Sequence, residues 1–293
     1  MIEVTPQDRA QWAEQLANRP GRLGTVSDDD AEPETFDEWT LGGTQVFAIA
    51  SGKGGVGKST ITTNLAATLA GRGLSVGILD ADLNGYSIPR MLGVVSKAEK
   101  QGEQISAGIS HGVKVISLGM FVGSEDAVVW RGPVMNRALE QLIGETDWGD
   151  LDVLLVDLPP GTGDIAISIA KLLPQAEIVI VTTPQLASAE VAARAGAMTK
   201  HTHQRVRGVV ENMSWFDLPD GARVTPFGSG GGALVASKLT AQLGEPIPLL
   251  AQIPLADEVR AGADAGNPVT TGAPETAAAR ALAHLAGLLV EGI

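Results

Sequence analysis

Two overlapping glycine patterns share one short stretch, SGKGGVGKST, at residues 51–60. Gly52, Gly54 and Gly57 satisfy the dinucleotide pattern G-x-G-x-x-G, whereas Gly52, Gly57, Lys58 and Ser59 satisfy the phosphate-loop pattern G-x-x-x-x-G-K-[ST]. In a phosphate loop, backbone N–H groups surround a polyphosphate at a helix N-terminus, where the helix dipole also favours anions. Lys58 would then reach the β and γ phosphates, and the Ser59 hydroxyl would bind Mg²⁺.

Acidic residues elsewhere in the chain favour the phosphate loop. Asp157 ends an apolar run in LLVDLPPGTGD, where a phosphate-loop enzyme needs an acid that holds magnesium, usually through its water. Asp82 follows Asp80 by two residues in DADLNG, and on a strand end that spacing points both side chains the same way. Asp80 also suits the ribose-binding acid of a dinucleotide site, so a dinucleotide-dependent oxidoreductase remains an alternative.

Short β-branched runs alternate with helical patterns from residue 45 onward. Seven such runs occur, at residues 46–50, 76–79, 113–118, 153–156, 178–181, 206–210 and 247–253. Apolar residues at helical spacing lie between them, and Ile61, Leu65 and Leu69 are one example. The alternation predicts an α/β fold: a doubly wound, mostly parallel sheet with helices on both faces. Ligands of such sheets bind beyond the carboxyl ends of the strands.

The composition of the chain excludes some classes of function. The 293 residues carry a net charge of −13 and contain no cysteine, which excludes disulfides and any thiolate-bound metal from this chain. Residues 1–40 hold ten acidic residues and three arginines, a net −7. We expect residues 1–40 to form an acidic, mostly disordered arm and residues 41–293 to form the nucleotide-binding domain. A docking tail anchored by Phe36 and Trp39 is the alternative for the arm.

The acidic composition and the hydropathy of the chain also predict its partners and its cellular location. DNA binding needs lysine and arginine to displace counterions, so no nucleic acid is expected. The sequence shows no apolar run of 18 residues and no signal sequence, so we expect a cytoplasmic protein without a membrane partner. The amphipathic C-terminal segment, with Leu282, Leu285 and Leu289 on one side, has a single base and ends acidic, which favours packing on the core.

Lys53 is not part of the general phosphate-loop pattern, yet GKGGVGKS resembles the deviant-Walker ATPases, the group of MinD, ParA, nitrogenase iron protein and ArsA. In that family the extra lysine reaches the partner's phosphates across a nucleotide-sandwich dimer, much as an arginine finger does. Four further blocks, at 80–93, 130–143, 148–164 and 208–216, resemble the Mrp/ApbC branch of iron–sulfur cluster carriers or scaffolds. The resemblance covers about residues 45–270.

The resemblance implies an ATPase that acts as a homodimer, with iron–sulfur assembly or recipient proteins as partners. It implies catalytic roles for Lys53, Lys58, Asp82 in switch I, and Asp157 as the Walker B acid. Mg²⁺ would be held by Ser59, Asp82 and Asp157. The nucleotide contacts that it implies are Gly52, Lys53, Gly54, Gly55, Val56, Gly57, Lys58, Ser59, Thr60, Asn212 at the adenine edge and Pro254 beside the base. Without an N-K-x-D guanine signature, ATP is expected over GTP.

One segment departs from the family pattern. Cluster-carrying members have a C-P-x-C pair directly after the E-N-M-S segment, and two subunits would supply four thiolates for a [4Fe–4S] cluster. Here Leu218 and Gly221 stand at the two cysteine positions, with Pro219 between them. Either the cluster role is lost, or a partner supplies every ligand, or the ATP switch serves another purpose. A MinD- or ParA-like positioning ATPase is therefore kept as an alternative.

Overall fold

The computed structural model describes residues 43–82, 87–95, 98–101, 104–120 and 132–291. The arm expected at residues 1–40, with Phe36 and Trp39, lies outside the described residues. Residues 83–86, which follow Asp82, also lie outside them.

One mixed sheet of eight strands forms the centre of the described fold, and two short hairpins accompany it. The strands are β1 (Gln45–Ser51), β2 (Val76–Asp80), β3 (Glu99–Gln101), β4 (Gln104–Ser106), β5 (Gly108–Ser110), β6 (Val113–Ser117), β7 (Val153–Asp157), β8 (Glu177–Thr182), β9 (Val206–Asn212), β10 (Phe216–Asp217), β11 (Arg223–Val224) and β12 (Leu249–Ile253). The sheet order is β12-β9-β8-β1-β7-β2-β6-β5. Every pair in it is parallel except β5 with β6.

Helices connect the parallel strands. They are α1 (Lys58–Gly71), α2 (Ile88–Met91), α3 (Gly132–Gly144), α4 (Asp164–Leu172), α5 (Leu186–Ala197), α6 (Thr199–Thr202), α7 (Gly231–Leu243), α8 (Asp257–Ala265), α9 (Val269–Gly272) and α10 (Ala277–Leu289). Among the described residues, no helix is both long enough and apolar enough to cross a membrane.

Alternate residues of the central strands enter two separate cores. In β1, Val46, Ala48 and Ala50 pack on one face with residues of α3, α4, α5 and α7, whereas Phe47 and Ile49 pack on the other with α1 and α10. Both faces of the sheet are therefore covered, which explains why the strands read as continuous apolar runs. The doubly wound, mostly parallel fold predicted from the sequence is confirmed.

Two details differ from the sequence prediction. The seven predicted runs are strands, but an eighth strand, β5, joins the sheet edge; its three residues lack the apolar run on which the prediction relied. The last strand begins at Leu249 rather than at residue 247, because Pro248 has no N–H to give to a ladder. The C-terminal leucines Leu282, Leu285 and Leu289 are fully buried, which confirms that α10 packs on the core.

Candidate nucleotide-binding site

The glycine-rich loop joins the end of β1 to the first turn of α1, in the strand–loop–helix context that a phosphate loop needs. Gly55 and Gly57 have φ of +77° and +86°, a region that disfavours other residues. A Cβ at Gly57 would lie 2.2 Å from Nδ2 of Asn212, and one at Gly52 would lie 2.4 Å from the backbone of α5. Beside Gly54 and Gly55 there is open space. The loop therefore packs closely against the protein at Gly52 and Gly57 and faces open space at Gly54 and Gly55.

Three side chains of α1 converge on Asp157, the last residue of β7. Lys58 Nζ and Ser59 Oγ each donate to Asp157 Oδ2 at 2.6 Å, and Thr62 Oγ1 donates to Oδ1 at 2.7 Å. Asp157 is fully buried, and Lys58 is 6% exposed. Because buried charges are stable only when paired, this ion pair fixes the start of α1 over the carboxyl end of β7. Thr60, in the same turn, is half-buried.

Asp80 is a second buried acid beside Asp157, and the phosphate-loop motif gives it no role. The two residues pair directly across β2 and β7. Asp80 accepts from Ser117 Oγ at 3.0 Å and from the backbone N–H of Asp82 at 3.1 Å. Burial, and then the negative charge of Asp157, raises the pKa of Asp80 to about 8. At neutral pH Asp80 is therefore mostly protonated, and one negative charge fewer faces Lys58.

Asp82 completes the cluster around Lys58. Its Oδ2 lies 3.9 Å from Lys58 Nζ, and the residue is 8% exposed. The structure thus brings together Lys58, Ser59, Asp82 and Asp157, the residues that the sequence and the family resemblance predict for phosphate and magnesium.

The donor set suits magnesium only with help from a ligand. Mg²⁺ prefers hard oxygen ligands and is usually bound by one or two carboxylates plus phosphate oxygens and water. Ser59 Oγ and the Asp157 carboxylate are adjacent hard oxygen groups at the helix start. Across the described ranges, no group of three or more His, Asp or Glu side chains could hold a metal unaided. The residues therefore fit a magnesium ion that arrives with a nucleotide.

Lys53, the second lysine of the loop, does not point to this cluster. Its Nζ donates to Oε1 of Gln185 at 3.0 Å, at the N-terminus of α5 in the same chain. Ser188 Oγ also reaches that oxygen, at 3.3 Å. Lys53 is half-buried, so this contact holds the lysine on α5 beside the loop.

Asn212 and Pro254 lie at the carboxyl ends of two neighbouring strands, β9 and β12. Asn212 ends β9 and is paired with Ile253, the residue before Pro254. Its Nδ2 donates to the carbonyl oxygen of Val56 at 2.9 Å. Val56 itself is buried in the core, so this bond fastens β9 to the middle of the loop. Contact of Asn212 with an adenine edge stays a prediction.

The hairpin formed by β10 and β11 contains the positions where the family pattern has cysteines. Its turn is closed by backbone bonds from Leu218 to Ala222 at 2.8 Å and from Gly221 to Leu218 at 2.9 Å. Arg223 binds both carboxylate oxygens of Asp217, at 2.8 and 3.2 Å, and lies 4.2 Å over the ring of Trp215. The hydrogen bond from Arg223 lowers the pKa of Asp217. Hard carboxylate oxygens suit iron–sulfur clusters poorly, so this hairpin does not fit a cluster.

Comparison with known proteins agrees with this geometry. The ParA family, described as NUBPL iron-transfer P-loop NTPases, matches residues 43–290. The chain is 54% identical over 243 residues to the iron–sulfur cluster carrier protein of Mycobacterium tuberculosis, a match covering 83% of this chain and 64% of that protein. It is 45% identical over 210 residues to the protein of the same name from Bacillus subtilis, covering 71% of this chain and 58% of that protein. The matches thus span less than two thirds of these relatives.

Solved structures give the same result. A nucleotide-binding protein from Archaeoglobus fulgidus, in complex with ADP, has a TM-score of 0.65 at 35% identity and covers 78% of this chain and 88% of its own. The septum site-determining protein MinD of Pyrococcus horikoshii, with Mg-ADP, has a TM-score of 0.62 at 24% identity and covers 85% and 96%. The latter shows the fold alone. The matched family settles the choice between the two glycine patterns: this chain belongs to the ParA family of NUBPL-type iron-transfer P-loop NTPases.

Proposed function

We propose that this chain is an Mg²⁺-dependent ATP-binding and ATP-hydrolysing switch protein that works as a homodimer. The convergence of Lys58 Nζ and Ser59 Oγ on Asp157 Oδ2 carries this proposal. It places a cation, a hydroxyl and an acid at one helix N-terminus, which phosphoryl transfer requires because its catalysis is mostly positioning and charge neutralisation.

Each residue of the cluster has a defined task in this proposal. Lys58 exchanges its bond to Asp157 for phosphate oxygens when ATP enters. Ser59 and Asp157 would hold a magnesium ion, which would supply charge neutralisation on the phosphate oxygens. Asp82 would orient water beside it. Asn212 and Pro254 border the adenine, and the second N–H and the oxygen of the Asn212 amide can contact its edge while the bond to Val56 persists.

Binding of ATP is tested by calorimetry with purified protein. Wild-type protein should bind ATP with Mg²⁺, and Lys58→Ala should weaken binding at least about tenfold, since it removes a charge-assisted contact. Lys238→Ala, on α7 outside the cluster, is the matched control and should bind as wild type does. Equal affinity of the wild type and Lys58→Ala would show that the site is misassigned.

The homodimer is proposed from Lys53. By the family resemblance this lysine acts on the phosphates of a second subunit, and in this chain it contacts Gln185 instead. Lys53→Ala should abolish ATP-dependent dimerisation in sedimentation and reduce hydrolysis, while monomeric ATP binding persists. Hydrolysis by Lys53→Ala at the wild-type rate would refute the dimer.

The names of the relatives suggest partners for this switch. Relatives are named iron–sulfur cluster carrier proteins, which supports iron–sulfur assembly or recipient proteins as partners. The 293 residues contain no cysteine, so a cluster would need ligands from another molecule. Anaerobic incubation with iron and sulfide, followed by iron and sulfide quantification, tests this directly. A cysteine-containing family member is the positive control, and stoichiometric cluster uptake by this chain alone would contradict our expectation.

A positioning ATPase acting on membranes or DNA is the second candidate. Its membrane version needs a free amphipathic helix, but the apolar side of α10 is buried against the core. Co-sedimentation with anionic liposomes or with DNA, with and without ATP, separates the two candidates. ATP-dependent co-sedimentation would favour the positioning role.

A further inference from the structure

An apolar groove with a basic rim lies between α4 on one side and α5 with α6 on the other. It has a volume of about 680 Å³ and extends from Thr162, in the loop after Asp157, to Thr202 at the end of α6. Ile167, which is 39% exposed, together with Ala197 and Met198 gives it apolar walls. The groove is separate from the nucleotide cluster.

The charged residues lining this groove are both basic. Lys171 and Arg194 lie on its opposite walls, and His201 lies beside them. All three are exposed. Within the described ranges, neither Lys171 nor Arg194 belongs to an ion pair. On a chain of net charge −13, such a rim selects an acidic ligand, and the apolar walls select one with large apolar side chains.

This chain carries a segment with both properties. Residues 28–39, which lie outside the described residues, hold seven acids and no base, and also contain Phe36 and Trp39. The nucleotide site uses none of these residues.

The described chain begins beside one end of the groove. Thr44 and Gln45 line a second hollow together with Gln175 and Arg205. Gln175 directly follows Pro174, which lines the groove. Gly43 therefore lies at the same edge of the sheet as Pro174, which lines one end of the groove.

Residues 28–39 are long enough to reach the groove from Gly43 and to cover it. Trp39 lies four positions before Gly43, a distance of up to about 14 Å in an extended chain. The nine residues of α4 measure about 14 Å along the helix axis. An extended stretch of twelve residues can reach about 40 Å, so residues 28–39 can cover the whole groove.

We propose that residues 28–39 dock in the α4–α5 groove of their own chain, with their acids facing Lys171 and Arg194 and with Phe36 and Trp39 on the apolar walls. The proposal does not depend on nucleotide binding.

Disulfide trapping in the full chain tests this, because the wild type has no cysteine to interfere. Thr35→Cys is combined with Thr162→Cys, at the groove end that lies opposite Pro174 and Thr202. The control pair joins Thr35→Cys with Ser237→Cys, an exposed position on α7. Under mild oxidation, docking should form the groove disulfide within one chain at least about tenfold faster than the control disulfide, through its higher effective concentration.

Charge reversal then tests the rim. Lys171→Glu with Arg194→Glu should slow trapping to the control rate, and the neutral pair Lys171→Gln with Arg194→Gln should slow it less. Replacing Asp37 and Glu38, the acids between Phe36 and Trp39, by lysine in the reversed variant should restore fast trapping, which a merely misfolded groove could not do. Equal rates for the groove and control pairs, insensitivity to charge reversal, or covalent dimers in place of internal disulfides would each overturn the proposal.

Discussion

Asp80→Asn should stabilise the folded chain in a pH-dependent way, because Asp80 keeps its proton in the folded state. Burial and the charge of Asp157 raise its pKa from 3.8 to about 8. The carboxyl of the unfolded chain ionises near its ordinary value. Between these two values the unfolded state has released a proton that the folded state retains, so the free energy of unfolding falls as pH rises. The contribution of protonated Asp80 to the free energy of unfolding is fully present below pH 3.8 and is lost as pH rises towards 8.

The size of the pH effect follows from the single proton that Asp80 keeps in the folded state. A difference of one bound proton changes the free energy of unfolding by about 1.4 kcal/mol per pH unit. From pH 5 to pH 7 the wild type should therefore lose up to about 3 kcal/mol relative to a variant that does not titrate at this position. Asparagine suits the site, since its amide can donate to Ser117 Oγ and accept from the Asp82 N–H.

Urea unfolding at pH 5, 6 and 7, without nucleotide or Mg²⁺, measures the difference between Asp80→Asn and wild type. We expect that difference to grow with pH in favour of the variant. Asp150→Asn replaces an exposed aspartate and is the matched control, whose difference from wild type should stay constant. If the Asp80→Asn difference is equally flat, Asp80 is ionised in the folded protein and the reasoning is refuted.

Three further variants probe the loop and the hairpin. Gly52→Ala places a Cβ 2.4 Å from the backbone of α5; we expect it to cost about 1–3 kcal/mol in urea unfolding and to weaken ATP binding, and unchanged stability would contradict the packing. Gln185→Glu gives Lys53 a charged partner, which should hold the lysine on α5 and slow ATP hydrolysis about fivefold; an unchanged rate would show that Lys53 need not leave Gln185. Gly221→Ala meets a φ of +84° and should raise amide hydrogen exchange in residues 216–224 about fivefold, for a cost of about 1 kcal/mol; unchanged exchange would argue against the turn.

The main contacts of the site could be predicted because a local motif fixes them. Lys58 and Ser59 have fixed positions in the loop, and Asp157 follows an apolar run as the acid of a phosphate-loop enzyme does, so the motifs predict their convergence although it also needs β7 beside β1. Asp80 was different. Its proximity to Asp157 depends on β2 lying next to β7, and strand order is not written in any one segment. Thr62 had a local signal, since it lies four residues after Lys58 on the same helix face.

Long-range contacts explain the remaining differences. The bond from Asn212 to Val56 joins residues 156 positions apart, and the bond from Lys53 to Gln185 joins residues 132 apart. Family resemblance assigned both polar side chains to a nucleotide or a second subunit. In the folded chain Asn212 bonds to Val56 and Lys53 bonds to Gln185, because buried and half-buried polar groups need partners. Action of Lys53 on a second subunit must therefore compete with its contact to Gln185.

The hairpin that lacks the cysteine pair is also the place where local sequence and structure agree most closely. Residues 218–222 read LPDGA, and x-P-D-G-x is a turn sequence: proline presets its corner, and glycine supplies the positive φ. Gly221, at the second cysteine position, has a φ of +84°, where an L-residue costs about 1–2 kcal/mol. The residue that removes a ligand thus also builds the turn, and Arg223 closes it on Asp217. Two cysteines at positions 218 and 221 would therefore require a different turn as well as supplying two thiolates. The hairpin differs from the family's cysteine segment in its backbone as well as in its ligands.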